Sequence, residues 1–199
     1  QNYYENYYHN WTKSNSWDTF DKAIQNVVQY ESRYASIFRI LSSRLSNAGR
    51  ALFCGVHQGK DCFWFQEIMQ DWEIFGFDFS RTVLEWCKIN YPKPAQLFWA
   101  DAEQICLGQQ TFDVYFDLVV CIDFTEHLPY QKALRFAKET FRVAKPGSLL
   151  LAQQGTCPLP EHINILKEQD FIRLFSGNGW NYFQKLPFDH YLFTKEAIG

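Results

Sequence analysis

The 199-residue sequence lacks several features that each define a class of protein. Its longest uncharged apolar runs are far shorter than the roughly 20 residues that a membrane span requires. Its 19 Lys and Arg against 22 Asp and Glu give a net charge of -3 and form no dense basic block. Broad binding of nucleic acid or anionic lipid needs such a block. We therefore expect neither a nucleic-acid nor a membrane partner, and one globular domain accounts for this length.

The cysteines form no C-x-x-C pair, so the usual zinc and redox motifs are missing. All six are scattered among mostly apolar residues, which is typical of thiols in a reducing compartment, and we expect a cytoplasmic protein. Asp123, Glu126 and His127 come nearest to a set of metal ligands. Because no further His or carboxylate follows at a fixed spacing, we expect no bound metal.

Aromatic side chains are abundant: 19 Phe, 11 Tyr and 7 Trp make up 19% of the residues. Most of them are expected to pack in the core, although aromatic residues also line small-molecule pockets. One cluster lies in the first seventeen residues, QNYYENYYHNWTKSNSW.

The apolar pattern changes at about residue 50. Before it, helical spacing from Phe20 to Leu45 predicts a helix that Asn47-Ala48-Gly49 ends. After it, short apolar runs alternate with helical stretches, which predicts a parallel sheet with flanking helices. The predicted strands are 51–54, 74–77, 96–99, 116–122, 148–152, 180–186 and 190–194.

The connection between the last two predicted strands is too short for a parallel crossover, so they should pair antiparallel. We predict an α/β protein with a doubly wound, mostly parallel seven-stranded sheet and helices on both faces. Residues 1–46 form an N-terminal helical segment in this prediction, and residues 47–199 form the sheet domain.

Ligands of open α/β sheets bind beyond the carboxyl ends of the strands, at the point where the strand order reverses. Two aspartates, Asp78 and Asp101, follow successive predicted strands. Carboxylates accept hydrogen bonds and repel anions, so this pair suits a polyhydroxyl group and an exocyclic amine better than phosphate. Taken singly, either aspartate is equally well explained as a helix cap.

Five segments, taken in order, resemble the motifs of the class I, Rossmann-like S-adenosylmethionine-dependent methyltransferases. The resemblance extends from about residue 50 to residue 194. The segments are GRALFCGVHQGKD (49–61), FGFDFS (75–80), WADAEQ (99–104), FDLVVC (116–121) with EHLP (126–129), and RVAKPG (142–147).

This resemblance implies S-adenosylmethionine as cofactor and S-adenosylhomocysteine as product. It implies that Asp78 holds the ribose hydroxyls, that Asp101 reaches the adenine amine, and that the Ala102 backbone faces the adenine ring. Further cofactor contacts are expected at the same strand ends, from Gly55, His57, Gly59, Phe79 and Cys121.

The chain departs from the family pattern at two positions in the first motif. Phe53 replaces a usually acidic residue, and His57 replaces a glycine. Glycine provides a positive φ and close backbone approach there, and a histidine in the same geometry strains the turn by about 1–3 kcal/mol. Two hypotheses follow: a methyltransferase acting on a small-molecule O, N or C nucleophile, or a catalytically inactive relative that binds a metabolite or a protein partner. A nicotinamide dehydrogenase is disfavoured because G-x-G-x-x-G is absent.

The acceptor side of the site is expected at His127, since the family places its substrate after the fourth strand. His127 is a candidate general base and substrate contact, although methyl transfer from a sulfonium often needs only alignment. Leading helices often cover the site in this family, so Tyr8 and Trp11, with Tyr4 and Tyr7, are candidate substrate contacts in an aromatic lid. An ordinary packed or frayed terminus is an equally good interpretation of these residues.

Overall fold

The computed structural model describes residues 28–91, 93–107 and 110–197, with side chains from residue 34 onward apart from that of residue 110. In chain order its elements are α1 (Val28–Ser42), β1 (Arg50–Cys54), α2 (Lys60–Ile68), β2 (Glu73–Asp78), α3 (Arg81–Asn90), β3 (Gln96–Trp99), β4 (Cys106–Leu107), β5 (Gln110–Thr111), β6 (Phe116–Ile122), a 3₁₀ helix (Thr125–His127), α4 (Tyr130–Val143), β7 (Ala144–Gln153), α5 (Glu168–Ser176), β8 (Asn181–Leu186) and β9 (His190–Thr194).

Seven of these strands form one sheet in the order β3-β2-β1-β6-β7-β9-β8. The first five strands in this order are parallel to one another, and β9 is antiparallel to both of its neighbours, β7 and β8. The predicted seven-stranded, mostly parallel sheet with an antiparallel pair at its end is therefore confirmed. The strand order reverses between β1 and β6, which is where a ligand site is expected.

Helices cover both faces of the sheet because alternate residues of each strand point to opposite sides. In β1, Leu52 belongs to one buried cluster and Phe53 to the other. The Leu52 side is closed by buried residues of α4 and α5, and the Phe53 side by those of α1 and α2. Among the described residues, no helix combines the length and the apolar character of a membrane span.

The structure describes residues 28–46 of the N-terminal segment, and α1 occupies Val28–Ser42 of them. Its buried positions Ile37, Phe38 and Leu41 confirm the predicted helical spacing over that part. Residues 1–27, which include Tyr4, Tyr7, Tyr8 and Trp11, lie outside the described residues. The aromatic lid and the division at residue 46 stay predictions.

One strand is longer than its sequence pattern indicates. β7 begins at Ala144, directly after α4, although the prediction started it at residue 148. The pairing of β6 with β7 shifts register between Phe116 and Leu118, and Gly147 has a φ of 79°. This irregularity accommodates Pro146, which has no N–H to donate to a regular ladder.

Candidate functional site

Two neighbouring cavities lie at the carboxyl ends of β1, β2 and β6. The smaller cavity, of about 250 Å³, is lined by the loop after β1 together with Ile122, Asp123 and His127. The larger cavity, of about 550 Å³, is lined by residues 77–80 at the end of β2, by Ala102, and by segments that follow β6 and β7. His127 lines both cavities, so it stands at the boundary between them.

The loop after β1 contains three residues in the left-handed region: Gly55 with φ 71°, His57 with φ 47° and Gly59 with φ 74°. A Cβ at Gly55 would lie 2.4 Å from the ring of Phe124, and one at Gly59 would lie 2.8 Å from Tyr91. Both positions therefore require glycine for space as well as for conformation. His57 adopts the positive φ that a glycine would supply, so the first motif retains its turn, and the backbone at His57 is strained.

Asp78 holds this loop to the second strand. Its side chain is 7% exposed, its Oδ2 accepts the backbone N–H of His57 at 3.0 Å, and its Oδ1 accepts that of Ser80 at 2.8 Å. Ser80 in turn caps α3, since its hydroxyl accepts the N–H of Val83. Asp78 thus combines a structural role at the start of α3 with a place in the wall of the larger cavity.

Asp101 is bound to a lysine that sequence reasoning did not single out. Its Oδ2 accepts a hydrogen bond from Lys132 Nζ at 2.8 Å, and its Oδ1 accepts the N–H of Glu103 at 3.0 Å. Partial burial disfavours ionisation of Asp101, but the Lys132 and Glu103 hydrogen bonds outweigh it and lower the pKa. Lys132 and Ala102 line the larger cavity, and Lys132 therefore adds a positive charge beside the predicted adenine site.

Two further residues that were predicted to contact the cofactor, Phe79 and Cys121, differ in their surroundings. Phe79 lines the larger cavity, next to Asp78. The Cys121 side chain is fully buried in the core, and burial raises the pKa of its thiol. The roles of both residues toward a cofactor stay predictions.

Gln58 is a residue of the first motif that sequence reasoning missed. Its side chain is 2% exposed and lines the smaller cavity. Neither its Nε2 nor its Oε1 has a hydrogen-bond partner among the described residues. Buried polar groups are nearly always hydrogen-bonded, so an amide in this state beside a cavity is a candidate contact for a ligand or a water molecule. Only its position within the glycine-rich segment hinted at this role.

The pKa values of His57 and His127 are both lowered, which favours their neutral forms. Burial lowers the pKa of His57 to about 4, and the nearby Lys60 and His127 add to the effect. Burial also lowers the pKa of His127, as does the neighbouring His162, whose ring centroid is 4.8 Å away. His127 Nδ1 faces the carbonyl oxygen of Glu161 at 3.3 Å. Because that oxygen can only accept, Nδ1 carries the hydrogen and Nε2 is the basic nitrogen.

Glu126, beside His127, is fully buried. Its Oε1 accepts the N–H of Gly155 at 2.6 Å. Burial raises the pKa of this carboxyl to about 8, and the charge of Asp123 adds to the shift. On the acceptor side, burial therefore shifts the pKa of the Glu126 carboxyl upward and that of the His127 imidazole downward, and both shifts favour the neutral form.

Strand order, the glycine turn after β1 and the acidic residues at the ends of β2 and β3 together define a class I, Rossmann-like S-adenosylmethionine-dependent methyltransferase fold. The family model described as "Methyltransferase domain" matches residues 52–152, just over half of the chain. The chain belongs to this methyltransferase domain family.

Solved structures share the fold at low sequence identity. An S-adenosylmethionine-dependent methyltransferase of Methanosarcina mazei is 15% identical with a TM-score of 0.62, over 80% of this chain and 98% of that one. A protein of Pyrococcus horikoshii is 19% identical with a TM-score of 0.62, over 86% of this chain and 92% of that one. A chain from a Haloferax volcanii complex of the Trm112 methyltransferase activator with a methyltransferase is 12% identical with a TM-score of 0.66, over 82% of this chain and 75% of that one. No curated protein matches the sequence significantly.

Proposed function

We propose that this protein transfers a methyl group from S-adenosylmethionine to an O, N or C nucleophile of a small molecule. The observation that carries the proposal is the pair of cavities at the strand-order reversal, one of which contains the buried amide of Gln58 without a protein partner among the described residues. Family membership supports the cofactor.

The residues present fit the two halves of this cofactor. Asp78 would accept hydrogen bonds from the ribose hydroxyls in the larger cavity, while Phe79 and Ala102 offer apolar surface to the adenine. Gln58 would serve the methionine half from the smaller cavity, because its amide both donates to a carboxylate and accepts from an ammonium group. Gly55 and Gly59 let this loop pack against Phe124 and Tyr91 beside the smaller cavity.

When bound, S-adenosylmethionine supplies a methyl group on a sulfonium sulfur. The protein then contributes mainly alignment, by holding the acceptor in line with the methyl carbon. His127 stands at the boundary of the two cavities, and its neutral imidazole is placed to contact the acceptor or to take its proton at Nε2. We extend the proposal to a cytoplasmic location, since all six cysteines are free thiols.

The second candidate function is a catalytically inactive relative that binds a metabolite or a protein partner. It is favoured by Phe53, whose ring packs edge-on against Phe38 and Phe65 in the core where the family usually has a carboxylate. One structural neighbour comes from a complex with a methyltransferase activator protein, which supports a protein partner but says nothing for inactivity.

Isothermal titration with S-adenosylmethionine and S-adenosylhomocysteine tests the proposal. We expect both ligands to bind, and Asp78→Asn to weaken binding by roughly 1.5–3 kcal/mol, the range for hydrogen bonds to a charged group. Asp71→Asn is the matched control, because Asp71 is exposed and lines neither cavity. Failure of the wild-type chain to bind either ligand at millimolar concentration would refute the proposed cofactor and favour the second candidate.

A further inference from the structure

Two imidazoles and a carboxylate meet beside the two cavities. Glu126 and His127 belong to the 3₁₀ helix after β6, and His162 belongs to the segment between β7 and α5. One potential ligand atom from each of the three lies within 4.8 Å of the others. Ligand atoms that share a cation lie roughly 2 Å from it, so small side-chain rotations bring all three into range.

The second observation concerns a buried oxygen of the Glu126 carboxyl group. The side chain is 0% exposed, and its Oε2 has no hydrogen-bond partner among the residues that the structure describes. Burying a polar oxygen without a partner is costly in either protonation state, and a cation or a donor that reaches it removes that cost. This oxygen indicates a ligand independently of the spacing of the cluster.

Gly155, which has no side chain, lies between Glu126 and His162. A Cβ at this position would lie 2.5 Å from Glu126 Oε1, 2.8 Å from His162 Cε1 and 3.3 Å from Asp123 Oδ1. The side chains of three residues from two loops therefore converge on a position that has no side chain of its own.

Both histidines are oriented by backbone carbonyl groups. His162 Nδ1 lies 2.7 Å from the carbonyl oxygen of Cys157, and His127 Nδ1 lies 3.3 Å from that of Glu161. A carbonyl oxygen only accepts, so each Nδ1 carries the hydrogen and each Nε2 carries the lone pair. Metal-binding histidines are typically held in this way, with the other ring nitrogen donating to a carbonyl or carboxylate.

We propose that Glu126, His127 and His162 bind a divalent transition-metal cation, with Asp123 as a neighbouring carboxylate. Mixed imidazole and carboxylate ligands suit Mn²⁺, Fe²⁺ or Zn²⁺, whereas Mg²⁺ and Ca²⁺ favour oxygen ligands alone. No bound metal was expected from the sequence, because Glu126 and His127 lacked a third ligand at a fixed spacing. The structure supplies His162 from a different loop, far along the chain from His127.

A function for this cation rests on the proposed methyl transfer. Since His127 lines both cavities, the cation's open positions would face the acceptor, and they would take a hydroxyl oxygen and lower its pKa. The hydroxyl proton leaves to solvent, and an oxygen lone pair then forms the bond to the methyl carbon. The C–S bond breaks, and its electron pair stays on sulfur. In this arrangement His127 Nε2 is a ligand of the cation, and the acceptor is a hydroxylated small molecule.

Mn²⁺ is the probe for the test, because thiols bind it weakly and it has an electron paramagnetic resonance signal. Chelator-treated protein is titrated with Mn²⁺ in the absence of S-adenosylmethionine, by calorimetry and by resonance. We expect one Mn²⁺ per chain and at least a tenfold loss of affinity in His162→Ala. Ile165→Ala is the matched control, because Ile165 is exposed in the same segment and lines neither cavity.

A second variant, Glu126→Gln, retains the shape of the buried side chain and should also weaken Mn²⁺ binding. Thermal unfolding of each variant establishes that it is folded before it is titrated. The proposal is overturned if both folded variants bind Mn²⁺ as the wild type does, or if neither Mn²⁺ nor Zn²⁺ saturates the wild-type chain at millimolar concentration.

Titration of the same preparations with S-adenosylmethionine separates this inference from the proposed function. If the chain binds S-adenosylmethionine but does not bind Mn²⁺, the cation site is refuted and the proposed function stands. If the chain binds Mn²⁺ but does not bind S-adenosylmethionine, the cation site is supported and the proposed function is refuted.

Discussion

Replacing Gln58 by leucine should stabilise the free protein while weakening its binding of S-adenosylmethionine. The Gln58 amide is buried, and neither of its polar atoms has a hydrogen-bond partner among the described residues. An unsatisfied buried polar group costs about 1–3 kcal/mol, and an apolar side chain of similar shape removes that cost. The free energy of unfolding should therefore rise by about this amount, or by about 2–4 °C in melting temperature for each kcal/mol at this chain length.

The effect on binding has the opposite sign. If Gln58 contacts the charged methionine end of the cofactor, its loss removes hydrogen bonds to charged groups, worth about 1.5–3 kcal/mol. The dissociation constant for S-adenosylmethionine should then rise by roughly 10- to 150-fold, since about 1.4 kcal/mol corresponds to a factor of ten. Chemical denaturation and isothermal titration measure the two quantities.

Gln66 supplies the matched control, because it is also a buried glutamine. Its Nε2 donates to the carbonyl of Pro94 at 2.7 Å, and its Oε1 accepts from the Tyr91 hydroxyl at 2.6 Å. Gln66→Leu should therefore lower the free energy of unfolding. If Gln58→Leu destabilises the protein as much as Gln66→Leu does, or if it binds S-adenosylmethionine like the wild type, the reasoning about Gln58 is refuted.

Four further predictions, made for three variants, concern the loop after β1 and the ion pair at Asp101. His57→Gly should raise the free energy of unfolding by about 1 kcal/mol in urea titrations, because glycine adopts the positive φ without strain; a loss of stability would contradict this. The same variant should lose less stability than the wild type on acidification between about pH 6.5 and 4. In that window His57 is protonated in the unfolded chain but not in the folded chain, where its pKa is about 4. Gly55→Ala should destabilise the protein by at least about 2 kcal/mol, measured by thermal unfolding, because its Cβ collides with Phe124 and its φ is positive; a neutral result would show that the loop relaxes. Lys132→Met should raise the pKa of Asp101, observed by NMR titration, since the Lys132 hydrogen bond lowers it; an unchanged value would mean that the Glu103 N–H is sufficient.

The fold could be predicted because its strands are encoded locally. The segment 116–122 is almost entirely apolar, as is typical of a strand buried on both faces, and the structure pairs it with β1 and β7. The short connection between the last two strands was enough to predict their antiparallel pairing. The start of β7 was not predictable, because Pro146 and Gly147 normally end an element, and only the register shift against β6 allows the strand to continue through them.

The candidate site was predictable where a strand end supplies the side chain and not where a distant loop does. Asp78 and Ala102 directly follow strands, so the topology alone brings them to one edge of the sheet. His162 meets His127 through the path of the segment after β7, which no sequence spacing reveals. Lys132 reaches Asp101 from the first turn of α4, and the unpartnered amide of Gln58 emerges only from its surroundings.

The two departures in the first motif bear on the choice between an active and an inactive protein. Phe53 points into the layer formed with α1 and α2, so its ring fills space away from the two cavities. His57 retains the left-handed turn, and the Asp78 carboxylate secures its backbone. The neighbouring N–H groups of Gly55 and Val56 both donate to the carbonyl of Phe77, at 2.9 and 3.0 Å. The second strand fixes the loop through these bonds, so the turn of the first motif is formed despite both departures. This supports the proposed methyltransferase over the inactive relative.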